Sequence, residues 1–237
     1  MNKPTYCFKT EALKKTYITG ETEVHALRGS SIEIPQGEMV VLLGPSGSGK
    51  STFLNIIGGL DQASAGQVYF KKKNISKLST KELTLYRREH IGFIFQSYNL
   101  IPSLTALENV ALVCEIANNP MKPEDALEAV GLSNRASHFP SQLSGGEQQR
   151  VAIARALAKQ PEVMLCDEPT GALDSKTGIV VLKALMEANE KSGATCIVIT
   201  HNVSIAQLAH RVIHFADGQV SRVSLNKTRK QPEDVEW

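Results

Sequence analysis

"GEMVVLLGPSGSGKSTFLNIIGGL" occupies residues 37–60, and its internal order predicts the fold. "GEMVVLLG" (37–44) is a short apolar run closed by glycine, as a buried strand is. "KSTFLNIIGGL" (50–60) follows with helical spacing and stops at Gly58-Gly59. A strand, a glycine loop and a helix in that order open an α/β unit.

The same grammar recurs along the chain. "HIGFIFQ" (90–96), "PEVMLCDEP" (161–169) and "TCIVIT" (195–200) each read as a short buried strand. "RVIHFADGQV" (211–220) reads as a hairpin turning at Asp217-Gly218. Residues 4–40 alternate as antiparallel strands do. Between about 97 and 158 the pattern is mainly helical. Thr105 and Glu108 form a capping box, and Pro123 with two acids opens a further helix that Gly131 ends. The expected organisation is a single domain. Residues 1–96 and 159–223 form an α/β core with an antiparallel β part, 97–158 form an inserted helical subdomain, and 224–237 form a loosely held tail whose role, Trp237 included, stays open.

Composition narrows the function classes. The chain has 237 residues, 42% hydrophobic and 21% charged, with a formal net charge of +2. That is ordinary for a folded domain with a large core, and it carries no basic excess to make nucleic acid the main partner. Cys7, Cys114, Cys166 and Cys196 form no C-x-x-C pair, which predicts free thiols in a reducing compartment. The start "MNKPTYCFKT" lacks the apolar segment of a secretory signal, and no apolar run approaches the ~20 residues of a membrane span. The expectation is a cytosolic chain that works at a membrane only through a partner.

"GPSGSGKS" (44–51) fits G-x-x-x-x-G-K-[ST] at every position. Gly44, Pro45, Ser46, Gly47, Ser48 and Gly49 form a loop whose backbone N–H groups point at phosphate oxygens, at the positive end of the following helix. Lys50 reaches the β/γ-phosphates, Ser51 holds Mg²⁺, and Thr52 completes the nucleotide-contacting run. This pattern predicts a nucleoside triphosphate and leaves open which of many phosphate-loop families is present. Asp167 ends an apolar strand where an acid joins the Mg²⁺ shell. Glu168, one residue on, is placed to orient and polarise an attacking water. His201 ends another buried strand at the edge where α/β sheets carry their sites. His210 and His214 are four apart without an acid or cysteine to complete a metal set, so they read as structural or surface residues.

A second glycine pair sits in "LSGGEQQRVAIARAL" (143–157), which resembles the signature motif of ATP-binding-cassette ATPases. The other motifs agree in order: "GPSGSGKST", "FIFQ", "LSGGEQQR", "VMLCDEP", "ALD" and "VITH", covering about residues 10 to 220. The resemblance implies that two copies pair head to tail, each ATP lying between one phosphate loop and the other chain's signature. Ser144, Gly145 and Gly146 would then face the partner's γ-phosphate from a helix N-terminus, where bare N–H groups and the helix dipole favour an anion. It further implies that Tyr17 stacks on adenine, though a strand aromatic has other uses. Gln96 would join the Mg²⁺ site to the helical subdomain, Asp174 would act across the dimer, and His201 would contact γ-phosphate. Two departures are mild: Glu147 stands where many relatives carry Gln, and Gly171 opens a "GALD" that often reads "SALD".

"NIIGGLDQASAGQV" (55–68), "FIFQSYNLIPSLTALENV" (93–110) and "DEPTGALDS" (167–175) resemble the lipoprotein-releasing and macrolide-exporter-like group. That resemblance implies a homodimer on the cytoplasmic face of the cell membrane, bound to a permease with a large extracytoplasmic domain. The cell-division regulator of the superfamily, which moves no substrate, is similar in layout and stays an alternative. Leu100, Ile101 and Leu104, just after Gln96, either receive the permease or belong to the core.

Overall fold

The computed structural model describes residues 6–235; Trp237 lies outside them. Strands are β1 (Tyr6–Thr19), β2 (Thr22–Ser30), β3 (Glu33–Pro35), β4 (Met39–Leu43), β5 (Ala65–Phe70), β6 (Lys73–Asn74), β7 (Ile91–Ile94), β8 (Val163–Asp167), β9 (Thr195–Thr200), β10 (Arg211–Ala216) and β11 (Gln219–Leu225). Helices are α1 (Lys50–Ile57), α2 (Thr80–His90), α3 (Ala106–Cys114), α4 (Pro123–Ala129), α5 (Gly145–Ala158) and α6 (Ser175–Ser192). An antiparallel sheet runs β2-β1-β5-β6 with β3 on β1, and a second sheet runs β11-β10-β4-β9-β8-β7. In the second sheet β10, β4, β9, β8 and β7 are parallel, and only β11 is antiparallel.

The parallel strands are largely apolar, with their polar residues mainly at the strand ends, because both faces are covered. Within β4, Val40 and Leu42 join a core with Phe53, Leu54 and Ile57 of α1 and with the antiparallel sheet. Met39, Val41 and Leu43 point the other way, into a core with α3, α4, α5 and α6. Cys166 and Cys196 are buried in that second core, Cys7 is buried in the first, and Cys114 is half-buried; all four are free thiols. Burial pushes the Cys7 thiol up to about 11, so it is an inert core residue at neutral pH.

The local signals behave as their chemistry requires. Thr105 caps α3 and Glu108 returns a bond to the Thr105 N–H. Pro123 opens α4, and Gly131 follows it at φ 70°. Asp217 and Gly218 take φ 49° and 75°, the paired positive values of a two-residue hairpin turn. Helix α2 falls in a stretch the sequence analysis leaves unassigned. Its signature is the Ser79–Glu82 capping box, with Leu83 and Tyr86 as its buried face.

The tail corrects an expectation. Far from being loosely held, residues 226–235 pack back on α6 and on the segment 206–210. Asn226 donates from Nδ2 to the Ala206 and Ala209 carbonyls. Arg229 pairs with Glu190 at 2.6 Å and Lys183 with Glu233 at 3.2 Å. Pro232 and Val235, three apart on a 3-10 turn, are buried. Two buried apolar residues, together with these polar contacts, seat the segment against α6.

His210 also has a defined structural place. Its Nδ1 accepts the Met39 N–H at 2.9 Å, satisfying the first donor of β4. Burial, then the nearby Arg229 charge, holds its pKa below the ordinary 6.5. The unfolded chain therefore takes up this proton before the folded one does. The stabilisation from His210 is complete above about pH 6.5 and is lost as pH falls through the lower folded value. Denaturant titrations across pH 5–8 should show stability falling on the acid side, and His210→Asn should flatten that slope.

Candidate active site

Strand register builds the site. Leu43 of β4 pairs with Thr200 of β9, and Asp167 of β8 pairs with Ile199. The glycine loop, the Asp167-Glu168 pair and His201 therefore leave the sheet at one edge, although more than a hundred residues separate the first from the others. β7 lies on the far side of β8, with Ile94 opposite Cys166, so Gln96 emerges at the same edge. These groups line one cleft of about 1080 Å³ with Tyr17 and the loop from Ser46 to Thr52.

The loop needs its glycines for two reasons. Gly44, Gly47 and Gly49 take φ of 156°, 76° and 99°. A Cβ on Gly44 would lie 2.3 Å from the Phe215 carbonyl oxygen, and one on Gly49 would lie 2.5 Å from that of Ala26. The hairpin turn supports the loop from below: the Gly218 N–H donates to the Ser48 carbonyl at 3.1 Å. Pro45 lies under the loop, where its carbonyl accepts the Ser48 N–H at 3.3 Å.

Lys50 is buried, and its Nζ donates to the Gly44 and Pro45 carbonyls at 2.7 and 2.8 Å. Burial lowers its pKa, while Glu168 and Asp167 oppose that shift. Its acceptors are neutral carbonyls, and a phosphate oxygen is the stronger acceptor for an ammonium. The Ser51 hydroxyl donates to Asp167 Oδ1 at 3.3 Å. Burial raises the Asp167 pKa against that hydrogen bond, with Glu168 pushing the same way as burial. A hydroxyl and a carboxylate at this spacing are hard oxygen donors suited to Mg²⁺. Among the described residues no cluster of three or more His, Cys, Asp or Glu forms a metal cage. That donor set fits a Mg²⁺ held by few protein oxygens, with phosphates and water completing its shell.

Glu168 adopts φ 48°, a left-handed conformation that an ordinary side chain rarely takes. It is fixed by two backbone bonds, from its own N–H to Ile199 O and from the Gly171 N–H to its carbonyl. This turn sends the carboxylate across to His201, whose Nδ1 lies 3.1 Å from Oε1. Gly171 is where a Cβ would approach Gln96 Nε2 to 2.9 Å, so the "GALD" glycine admits Gln96 beside the acid.

Tyr17 is 38% exposed, and its hydroxyl donates to Asp61 at 2.7 Å. Lys15 bridges to the same carboxylate at 2.6 Å and lies over the Tyr17 ring at 4.7 Å. One ring face is thus covered by a cation. Sequence reasoning missed Asp61, and it missed His25, Ala26, Arg28, Asp217 and Gly218 as cleft residues. Asp61, His25, Ala26 and Arg28 carry no local motif, and the Asp217-Gly218 turn, legible as a turn, reaches the cleft only through tertiary contact.

The remaining predicted residues lie elsewhere. Ser144 caps α5 by accepting the Glu147 N–H, and with Gly146 it lines a separate cleft of about 300 Å³ beside α6. Asp174 caps α6, accepting from the Thr177 N–H and hydroxyl at 3.1 and 2.6 Å. The glycine pair also has an internal reason. A Cβ on Gly146 would fall 1.9 Å from the Thr177 methyl, and one on Gly145 would fall 2.9 Å from the Tyr98 hydroxyl.

A glycine cradle between strand and helix, beside a strand ending in acids, defines a phosphate-loop nucleoside triphosphatase. Comparison with known proteins narrows this. A family model described as ABC transporter matches residues 27–171. The chain is 48% identical over 223 residues to the ABC transporter ATP-binding protein MJ0796 of Methanocaldococcus jannaschii, covering 90% of this chain and 95% of that one. It is 43% identical over 225 residues to the macrolide export ATP-binding/permease protein MacB of Bartonella quintana, covering 93% of this chain and 34% of that protein. The dimeric structure of MJ0796 in a post-hydrolysis state, bound to ADP and Pi, superposes with a TM-score of 0.85 at 45% identity. That match covers 93% of this chain and 99% of the other. The chain belongs to the ABC transporter family: it is an ABC ATPase, using ATP with Mg²⁺.

Two glycine substitutions separate crowding from conformation. Gly49→Ala should cost at least about 3 kcal/mol and abolish nucleotide binding, because strain and a backbone clash combine. Gly193→Ala, at φ 68° with open space around it, should cost only roughly 1–2 kcal/mol and leave binding intact. Chemical denaturation and nucleotide titration of both variants check this.

Proposed function

We propose that this chain is the nucleotide-binding subunit of a membrane complex of the lipoprotein-release or macrolide-efflux type, dimerising head to tail on ATP. The observation that carries the reading is the division of the site. Ser144 and Gly146 open on a cleft distinct from the one lined by Lys50, Asp167, Glu168 and His201. The N-terminus of α5, bordering this second cleft, then serves a nucleotide held by a second copy. The dimeric arrangement of MJ0796 supports this pairing, and the similarity to MacB supports the exporter-like group.

In this reading the glycine loop and Lys50 hold the phosphates, and Tyr17 offers its uncovered face to the base. Bound Mg²⁺, held by Ser51 and Asp167 with Gln96 beside it, supplies charge neutralisation at the phosphates. Glu168 orients and polarises the attacking water, and His201 passes from Glu168 to the γ-phosphate as the dimer closes. Asp174 contributes from the opposite copy. Differential stability of closed and open dimers provides the work.

The permease seat is the loop after Gln96 with α3. Leu100 packs on the core, whereas Ile101, Leu112 and Ile116 are exposed. Asn109 clamps the loop by donating to the Ile101, Leu104 and Thr105 carbonyls and accepting the Ile101 N–H at 2.7 Å. An apolar surface held this firmly suits docking of a membrane partner. No helix among the described residues is long and apolar enough to cross a membrane. The partner, with its large extracytoplasmic domain, would hold the chain at the cytoplasmic face.

Glu168→Gln should abolish turnover and convert the chain to a stable dimer in ATP and Mg²⁺. Lys50→Ala should remove nucleotide binding altogether. Sedimentation velocity and phosphate release measure both. Normal turnover in Glu168→Gln would sink the catalytic assignment.

A further inference from the structure

Glu147 is the departure within the signature octet, and its carboxylate is fully engaged. Oε2 accepts the Ser144 N–H at 2.8 Å, and Oε1 accepts from Arg135 Nε at 2.8 Å. The Ser144 N–H and then Arg135 hold its pKa down to about 2, so it is charged at every physiological pH. Glu147 also lines the cleft of Ser144 and Gly146. A fixed negative charge therefore sits at the helix terminus whose N–H groups are read above as the seat of an incoming phosphate. An acid in the first turn stabilises the helix but opposes an anionic ligand at the same place.

Arg135 resolves the conflict. It lies on the 3-10 turn Ser133–Arg135, outside the octet and outside the cleft lining. Arg150 and Lys176 line the cleft and hold no ion pair among the described residues, so their charges remain for a ligand. We propose that Arg135 is a positioning residue that neutralises Glu147, so that the N-terminus of α5 accepts the phosphate carried by a second copy of this chain. This rests on the head-to-tail reading above. Arg135 acts through Glu147 and touches no nucleotide.

The test is a double-mutant cycle in the Glu168→Gln background, reading the ATP-dependent dimer dissociation constant by sedimentation velocity. Arg135→Gln should weaken the dimer at least about tenfold, and adding Glu147→Gln should restore it to within about threefold. Binding of a fluorescent ATP analogue to the monomer should stay unchanged in all variants, since the phosphate loop is untouched. Arg135 is 42% exposed, and an ion pair of that exposure contributes little to folding, which thermal unfolding of Arg135→Gln checks. No effect of Arg135→Gln overturns the proposal. A loss that persists beside Glu147→Gln also overturns it, because Arg135 would then act on the nucleotide or the fold directly. If the Glu168→Gln parent itself stays monomeric in ATP, the head-to-tail reading fails and takes this proposal with it. A parent that dimerises isolates the Arg135 question.

Discussion

Everything at the catalytic edge depends on the parallel register of β10, β4, β9 and β8. Four strands drawn from distant parts of the chain end together because each is buried on both faces. A slip of one residue in such a strand would exchange its two sets of side chains between the two cores. Val40 and Leu42 would then meet the helices, while Met39, Val41 and Leu43 would meet α1. Packing on both sides thus locks the register, and the register places Lys50, Asp167, Glu168 and His201 around one cleft. Catalytic geometry is a by-product of packing on both faces of the sheet.

On that frame the polar groups are arranged in tension with their surroundings. Asp167 and Lys50 are both partly desolvated, and burial pushes each toward its neutral form. Compensation is only partial: Glu168 and Asp167 oppose the shift at Lys50, and Ser51 and Lys50 oppose it at Asp167. A polyphosphate with Mg²⁺ supplies the missing opposite charges, which gives the ligand a direct electrostatic reason to bind. Glu168 carries backbone strain at φ 48°, held by the Ile199 and Gly171 contacts. Strain retained at this carboxylate fits a group that must hold one direction. The second cleft shows the opposite economy: Glu147 is satisfied completely by Ser144 and Arg135 within its own chain. The turn bearing Arg135 is in turn bonded to α3, through Ala106 N–H to His138 O and Leu107 N–H to Ala136 O. A continuous set of contacts therefore joins the exposed face of α3 to the signature helix.

Legibility in the sequence varied with the range of the interaction. The glycine loop, the Asp167-Glu168 strand end, the Thr105 and Pro123 helix starts and the Asp217-Gly218 turn are local, and each was readable from a few adjacent residues. Helix α2 was equally local in its Ser79–Glu82 cap but carries only two buried residues, too few to stand out by periodicity. The tail was misread because a polar segment looks mobile until α6 provides a seat for Pro232 and Val235. Asp61, which fixes Tyr17, carries no motif, because its role exists only where β1 meets the end of the loop after α1.

The amino-acid sequence by itself determined the chemistry: which groups bind phosphate, which acids stand at a strand end, and which family the motif order matches. Those are properties of residue type and short spacing, which the backbone expresses without distant help. Only the tertiary structure decided which of them meet. It joined Glu168 to His201 and Tyr17 to Asp61, and it set Ser144 and Gly146 apart in a cleft of their own. Such contacts depend on strand order and register, and these are fixed by the burial of two opposed cores rather than by any local run of residues.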